Sequence, residues 1–138
     1  MASTFFFSDA HLGASTLKNE KLKEEKLLSF FDHVSLNGDR LFIVGDLFDF
    51  WFEYRTVIPK GYTRILSGLS RLSELGMEMH YIAGNHDFWM KNYLTREFGI
   101  IMHFDDVDYT IRGKKFYIFH GDGLAKDDVG YRFIKRIF

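Results

Sequence analysis

Four short motifs carry the residue types that could do chemistry: Asp9-Ala10-His11, Gly45-Asp46-Leu47-Phe48-Asp49, Gly84-Asn85-His86-Asp87 and His120-Gly121-Asp122. Together they offer carboxylates, imidazoles and one amide oxygen, the mixture that binds a pair of divalent metals and cleaves phosphoesters. Asp9 and His11 are two apart, so an extended backbone would aim both the same way and let them grip one metal. Asp46 follows a glycine that permits tight backbone geometry, and a carboxylate can bridge two cations. Asn85 adds a neutral amide oxygen, and His120 a second imidazole. Nitrogen and oxygen ligands without sulfur suit Mn, Fe or Zn better than Ca. Two such metals about 3.5–4 Å apart can clamp a phosphate. Singly, each motif has a bland reading: Asp-x-His by chance, Gly-Asp as a turn, Asn85 to Asp87 as a loop capping a helix, His120 as a strand-end histidine bonded to backbone. All four together, each after a strand, point to one site.

The elements that must position them alternate in type. Thr4–Ser8, Arg40–Val44 and Glu78–Ala83 are compact apolar runs that read as buried strands. Apolar residues recur at helical spacing from Asn19 to Val34 and from Tyr62 to Leu75, the second helix being stopped by Gly76. Trp89–Phe98 reads as a short helix ended by Gly99. Asp108–Ile111 and Lys115–Phe119 read as a hairpin around Arg112-Gly113-Lys114. Strands alternating with helices predict an α/β domain with a partly parallel, mixed sheet. In open α/β sheets, ligands bind outside the carboxyl ends of strands, where all four motifs fall.

Bulk properties narrow the class. The chain has 138 residues, enough for one domain with a core. A formal net charge of −1 gives no drive toward nucleic acid, and no nucleic-acid partner is expected. The absence of cysteine excludes disulfides and thiolate metal sites and fits a reducing compartment. No stretch approaches the roughly twenty apolar residues of a membrane span. The default expectation is a soluble cytoplasmic protein.

The order Asp-x-His, Gly-Asp-x-x-Asp, Gly-Asn-His-Asp and His-Gly-Asp resembles the calcineurin-like metallophosphoesterases. The runs Ser8–Gly13, Gly45–Asp49 followed by Trp51, and His120–Leu124 followed by Asp127-Asp128 are similar to the UDP-2,3-diacylglucosamine hydrolases of lipid A synthesis. A better-known branch of that family has arginine where this chain has His86, so the resemblance is to a histidine-bearing branch. It implies a metallophosphoesterase-like α/β sandwich and two divalent metals, Mn first, with Fe or Zn as alternatives. The first metal would be held by Asp9, His11 and Asp46, the second by Asp46, Asn85 and His120. His86 would stand near the leaving oxygen, its ring oriented by Asp87, while Asp49 and Asp122 orient ligands. Asp128 and Tyr131 match substrate-contacting positions. For Asp122, Asp128 and Tyr131 a structural reading competes: a turn, a helix cap and simple packing. His33, His80 and His103 lie outside the motifs and are expected to be structural or solvated.

The implied substrate is a nucleotide-sugar lipid, split at its pyrophosphate; other phosphodiesters and a non-catalytic scaffold on the same fold are the alternatives. An acylated substrate implies peripheral contact with the inner membrane. Phe48, Phe50, Trp51 and Phe52, with Phe88 and Trp89, crowd the two central motifs; most are expected in the core, some as an apolar wall beside the site. Arg55, Lys60 and Arg64 are expected on a solvated surface. The family completes its metal site with a late Gly-x-His motif, and no histidine follows His120. Val129, Phe133, Ile134, Ile137 and Phe138 form an apolar helical stripe running to the last residue. The expectation is the N-terminal part of a longer protein, cut where a helical lid is inserted, with self-association through that last helix and weakened metal binding.

Overall fold

The structure is a computed structural model that describes residues 3–87 and 89–121. Asp122, Asp128, Tyr131, Phe88 and the expected last helix lie outside the described residues. The chain runs β1 (Ser3–Phe7), α1 (Leu17–Asn37), β2 (Gly38–Val44), α2 (Thr63–Glu74), β3 (Glu78–Ile82), α3 (Tyr93–Phe98), β4 (Ile101–His103), β5 (Val107–Ile111) and β6 (Lys114–Ile118).

Strands β1 to β4 form one sheet in sequence order, and every pairing in it is parallel. Strands β5 and β6 pair antiparallel in a second, two-stranded sheet. The α/β class is as expected. The expected mixing is different: parallel and antiparallel pairs sit in separate sheets among the described residues.

Side-chain alternation sorts the parallel strands into two faces. One face carries Phe5, Phe7, Leu41, Ile43, Met79 and Tyr81. It packs with Phe31 and Val34 of α1 and Ile65, Leu69 and Leu72 of α2 into the main core. The other face carries Phe42 and Ile82, which pack with Ile111 and Ile118 of the hairpin. This two-sided burial explains why the strands read as unbroken apolar runs rather than alternating ones.

The β5–β6 hairpin turns through Arg112 and Gly113, both at positive φ (50° and 76°), the geometry that matches strand twist in two-residue hairpins. A polar network beneath it ties the hairpin to the sheet. The Arg40 guanidinium donates to both oxygens of Glu78, at 2.8 and 3.0 Å, and the Tyr109 hydroxyl donates to Glu78 at 2.5 Å. His80 bonds Glu78 at 2.8 Å and His103 at 2.9 Å. Both histidines are thus engaged away from the motifs, in the structural role expected of them.

Two elements differ from the sequence reading. The helix expected from Trp89 begins only at Tyr93. Trp89 is engaged in a bridge with Phe52, and a turn from Met90 N to Asp87 O precedes the helix. Strand β4 was not expected; three residues are too few to show a period.

Candidate metal centre

All four motifs follow strand ends: Asp9 after β1, Asp46 after β2, Asn85 after β3 and His120 after β6. The first three strands are adjacent and parallel, so their carboxyl ends share one edge, and the hairpin brings His120 to it. His120 Nε2 stands 3.3 Å from Asp46 Oδ2, across 74 residues of sequence.

The loops are held in unusual backbone. Asp9, His11 and Asp46 all have positive φ, at 57°, 43° and 53°. Non-glycine residues seldom adopt this conformation, and it gathers at functional sites. The expectation of an extended Asp9–His11 segment is therefore corrected. Both residues are left-handed, and their side chains still meet, with Asp9 Oδ1 3.7 Å from His11 Nε2. The strain is sustained by zipping the two loops together: Asp9 N donates to Gly45 O, His11 N to Asp46 O, Leu12 N to Leu47 O, and Asp49 N to Leu12 O. Gly45 is left-handed at 74°, and a Cβ there would overlap the His120 ring.

Asp46 is the centre of the arrangement. It is 2% exposed, and its Oδ2 lies 3.6 Å from His11 Nε2 as well as 3.3 Å from His120. Its Oδ1 accepts the His86 backbone N–H at 3.1 Å. Burial pushes the Asp46 carboxyl up, but the His120 hydrogen bond and the His86 N–H outweigh it and hold the group below the usual range. The same contact with Asp46 raises His120 to about 9. His120 Nδ1 faces the Val44 carbonyl at 2.9 Å. Carbonyl and carboxylate oxygens only accept, so the charged ring donates Nδ1–H to Val44 and Nε2–H to Asp46, and a cation bound at Nε2 would take the place of that second proton.

Two donor groups share Asp46: His11, Asp46 and His86 in one, Asp9, Asp46 and His120 in the other. Within each, the donor atoms lie within 4.8 Å of one another. Asp46 is common to both groups, Asp9 stands near His11 as well as in the group of His120, and His86 joins His11 and Asp46. Asn85 lies exposed in the same loop. Hard carboxylate oxygens and borderline imidazole nitrogens, gathered around a buried carboxylate on strained backbone, fit divalent cations.

Asp87 does not orient the His86 ring. It is fully buried and accepts three bonds: Gly84 N at 2.8 Å, Leu47 N at 3.1 Å and the Tyr81 hydroxyl. Burial raises its carboxyl above the ordinary value. Its work is to lock the Gly84–Asp87 loop onto the loop of Asp46. The ring is held instead by Asp49, whose backbone carbonyl lies 2.8 Å from His86 Nδ1. The Asp49 carboxylate sits 3.4 Å from the same atom and 3.5 Å from His11 Nδ1, so one side chain faces both imidazoles. The two rings meet edge to face at 4.8 Å.

The aromatic residues divide as expected. Phe48 and Trp51 are fully buried; Phe50 and Phe52 are 54% and 43% exposed and both contact Trp89. Tyr81 and Glu53 were not anticipated. Glu53 is buried and accepts the Trp51 indole N–H and the backbone N–H groups of Asn92 and Tyr93. Tyr81 sits in mid-strand, where no motif marks it. For Glu53, a carboxylate amid four aromatic residues was the available signal.

A parallel sheet with acidic and imidazole ligands gathered at its carboxyl edge defines an α/β domain with a candidate metal centre. Residues 3–136 match the calcineurin-like phosphoesterases, and the chain belongs to that family. It is 38% identical to a UDP-2,3-diacylglucosamine hydrolase of Porphyromonas gingivalis, over 97% of this chain and 49% of that one. It is 32% identical to the protein of the same name from Nitrosococcus oceani, over 94% and 50%, and 33% identical to that from Photorhabdus laumondii, over 97% and 54%. The chain thus spans about half the length of the curated relatives it matches. A crystal structure of a protein of unknown function from Aquifex aeolicus aligns with a TM-score of 0.61 at 19% identity. It covers 99% of this chain and 71% of its own, and shows the fold.

Proposed function

We propose that the full-length protein is a metal-dependent hydrolase that splits the pyrophosphate of UDP-2,3-diacylglucosamine, releasing UMP and 2,3-diacylglucosamine 1-phosphate, a step of lipid A synthesis. The observation that carries the hydrolase reading is the sharing of buried Asp46 between two donor groups. The substrate rests on the names of the relatives. Two divalent cations, Mn first and Fe or Zn as alternatives, would be held by Asp9, His11, Asp46, Asn85 and His120. When bound, they supply positive charge for the phosphoryl oxygens and acidify water.

The residues of the chain do the rest. Asp46 is already desolvated and needs little reorganisation to accept cations. His120 is held by Val44 so that Nε2 faces the centre. His86 donates Nδ1–H to the Asp49 carbonyl, which turns Nε2 away from that contact and leaves it to hand a proton to the leaving oxygen. Asp49 steadies both His11 and His86. The exposed Phe50 and Phe52, beginning next to Asp49, offer an apolar wall suited to acyl chains. Asp122, Asp128 and Tyr131 are proposed to complete ligand orientation and substrate contact.

No helix among the described residues is long and apolar enough to cross a membrane. Action in the cytoplasm, with peripheral contact at the inner membrane where the acylated substrate resides, is part of the same reading. The test is an assay of the full-length protein with Mn and UDP-2,3-diacylglucosamine. Release of UMP that disappears in Asp46→Ala supports it. Activity confined to nucleotides or other small phosphodiesters overturns the substrate and keeps the enzyme class. Partner binding that survives Asp46→Ala, with no hydrolysis to lose, favours a scaffold.

A further inference from the structure

The strained Asp9–Gly13 segment is zipped on one side to the loop of Asp46, as described above. Its other side faces the first turns of α1, and two charged residues there are spent on it. Glu20 accepts the backbone N–H of Gly13 through Oε2 at 2.8 Å and that of Ser15 through Oε1 at 2.7 Å. Lys23 donates to the His11 backbone carbonyl at 2.8 Å and to Glu20 Oε1 at 3.2 Å. The Tyr62 hydroxyl adds a bond to the Leu12 carbonyl at 3.1 Å. Four backbone groups from the left-handed histidine onward, the His11 and Leu12 carbonyls and the Gly13 and Ser15 N–H groups, thus end on side chains.

We propose that Glu20 and Lys23 form a brace on α1 that holds His11 in its left-handed conformation, and so presets the cation affinity of the centre. They are positioning residues: both act on the backbone of the loop. The proposal rests on the metal-centre reading.

Two features favour a brace over an ordinary surface pair. An i,i+3 pair on a helix would suffice for mutual contact, yet both members reach off the helix to backbone of the same loop. The sign of the charge also argues against an electrostatic role. An ammonium near a cation site opposes cation binding, so Lys23 can help only by geometry.

That opposition gives the test its direction. Mn(II) is titrated calorimetrically into the metal-free full-length protein, its Lys23→Met and Lys23→Gln variants, Lys26→Met as an exposed control on the same helix, and Asp46→Ala. Thermal unfolding of each metal-free form is measured alongside. The brace predicts that both Lys23 variants bind Mn(II) about tenfold more weakly, the scale of lost outer-shell support, while Lys26→Met matches the parent. Lys23→Gln provides a second fold-competent variant should Lys23→Met unfold. Unchanged or tighter binding in the Lys23 variants overturns the brace, as does equal weakening in Lys26→Met. If the parent itself binds no Mn(II), or Asp46→Ala binds as well as the parent, the metal-centre reading fails and the brace with it. A parent that binds through Asp46, with Lys23 variants unaffected, sinks the brace alone.

Discussion

Gly84 lies against Asp46 so closely that no side chain fits between them: a Cβ at position 84 would overlap Asp46 Oδ1 and stand 2.8 Å from the Asp46 backbone N. The loop after β3 therefore reaches the loop after β2 only because residue 84 lacks a side chain. Gly84→Ala is expected to separate the two loops, moving Asp46 away from the His86 N–H. The overpacking should cost about 1–3 kcal/mol of stability, read by denaturant unfolding. Hydrolysis should fall by more than the stability loss explains, because Asp46 belongs to both donor groups. A variant with parent-like turnover would show that the contact is dispensable.

The loop contact is also held by Asp87, and there Tyr81 is the side-chain donor. Tyr81→Phe keeps the ring in the core and removes only the hydroxyl. Asp87 would retain the Gly84 and Leu47 N–H groups, so a buried carboxylate would be under-bonded rather than stranded. The expected loss is about 1–3 kcal/mol in chemical denaturation. Asp87→Leu should lose more, since it leaves two backbone N–H groups and the Tyr81 hydroxyl without an acceptor.

Much of this architecture was legible from residue pattern alone. The apolar runs of β1, β2 and β3 marked buried parallel strands because both faces of the sheet are covered. The placement of motifs after strands implied that they gather at one sheet edge, and the described ones do. What could not be read was conformation and partnership within the loops. The left-handed Asp9 and His11 defeat a period-2 argument, since alternation holds only for extended chain. Asp87 stands next to His86 in sequence but turns inward to Tyr81, whereas Asp49, 37 residues away, holds the ring. Such assignments depend on which group wins a buried donor, a three-dimensional competition that spacing does not encode. The same holds for Glu20 and Lys23, which in sequence are merely two of many charges on α1.

Acid should loosen the hairpin before it unfolds the sheet core. Glu78 is the hub of the network under β5 and β6, and the Arg40 hydrogen bond, with help from His80 and Tyr109, lowers it to about 2. A lowered carboxyl stabilises the fold above its unfolded pKa of 4.5 and loses that contribution as pH falls toward 2. Its side chain is 38% exposed, so solvent screening reduces the contribution to about 1 kcal/mol. The stability of the parent should therefore decline between about pH 4.5 and 2 more steeply than that of Glu78→Gln. Overlapping pH curves for the two proteins would remove Glu78 from the account.

His86 distinguishes two uses of one imidazole. Its Nδ1 is committed to Asp49, and its Nε2 is free either to ligate a cation with His11 and Asp46 or to protonate a leaving oxygen. The exchange of His86 N–H with Asp46 is a backbone contact, so His86→Ala leaves it in place. If the side chain serves the leaving group, His86→Ala should lower kcat about 10²–10³-fold, with little change in KM and no loss of bound cation. The deficit should shrink on an aryl phosphodiester, whose leaving oxygen needs no proton. If the ring instead ligates, cation stoichiometry by elemental analysis falls and the aryl substrate suffers equally. The bond from Nδ1 to the Asp49 carbonyl fixes the ring for either role, so the cation count and the aryl substrate together decide between them.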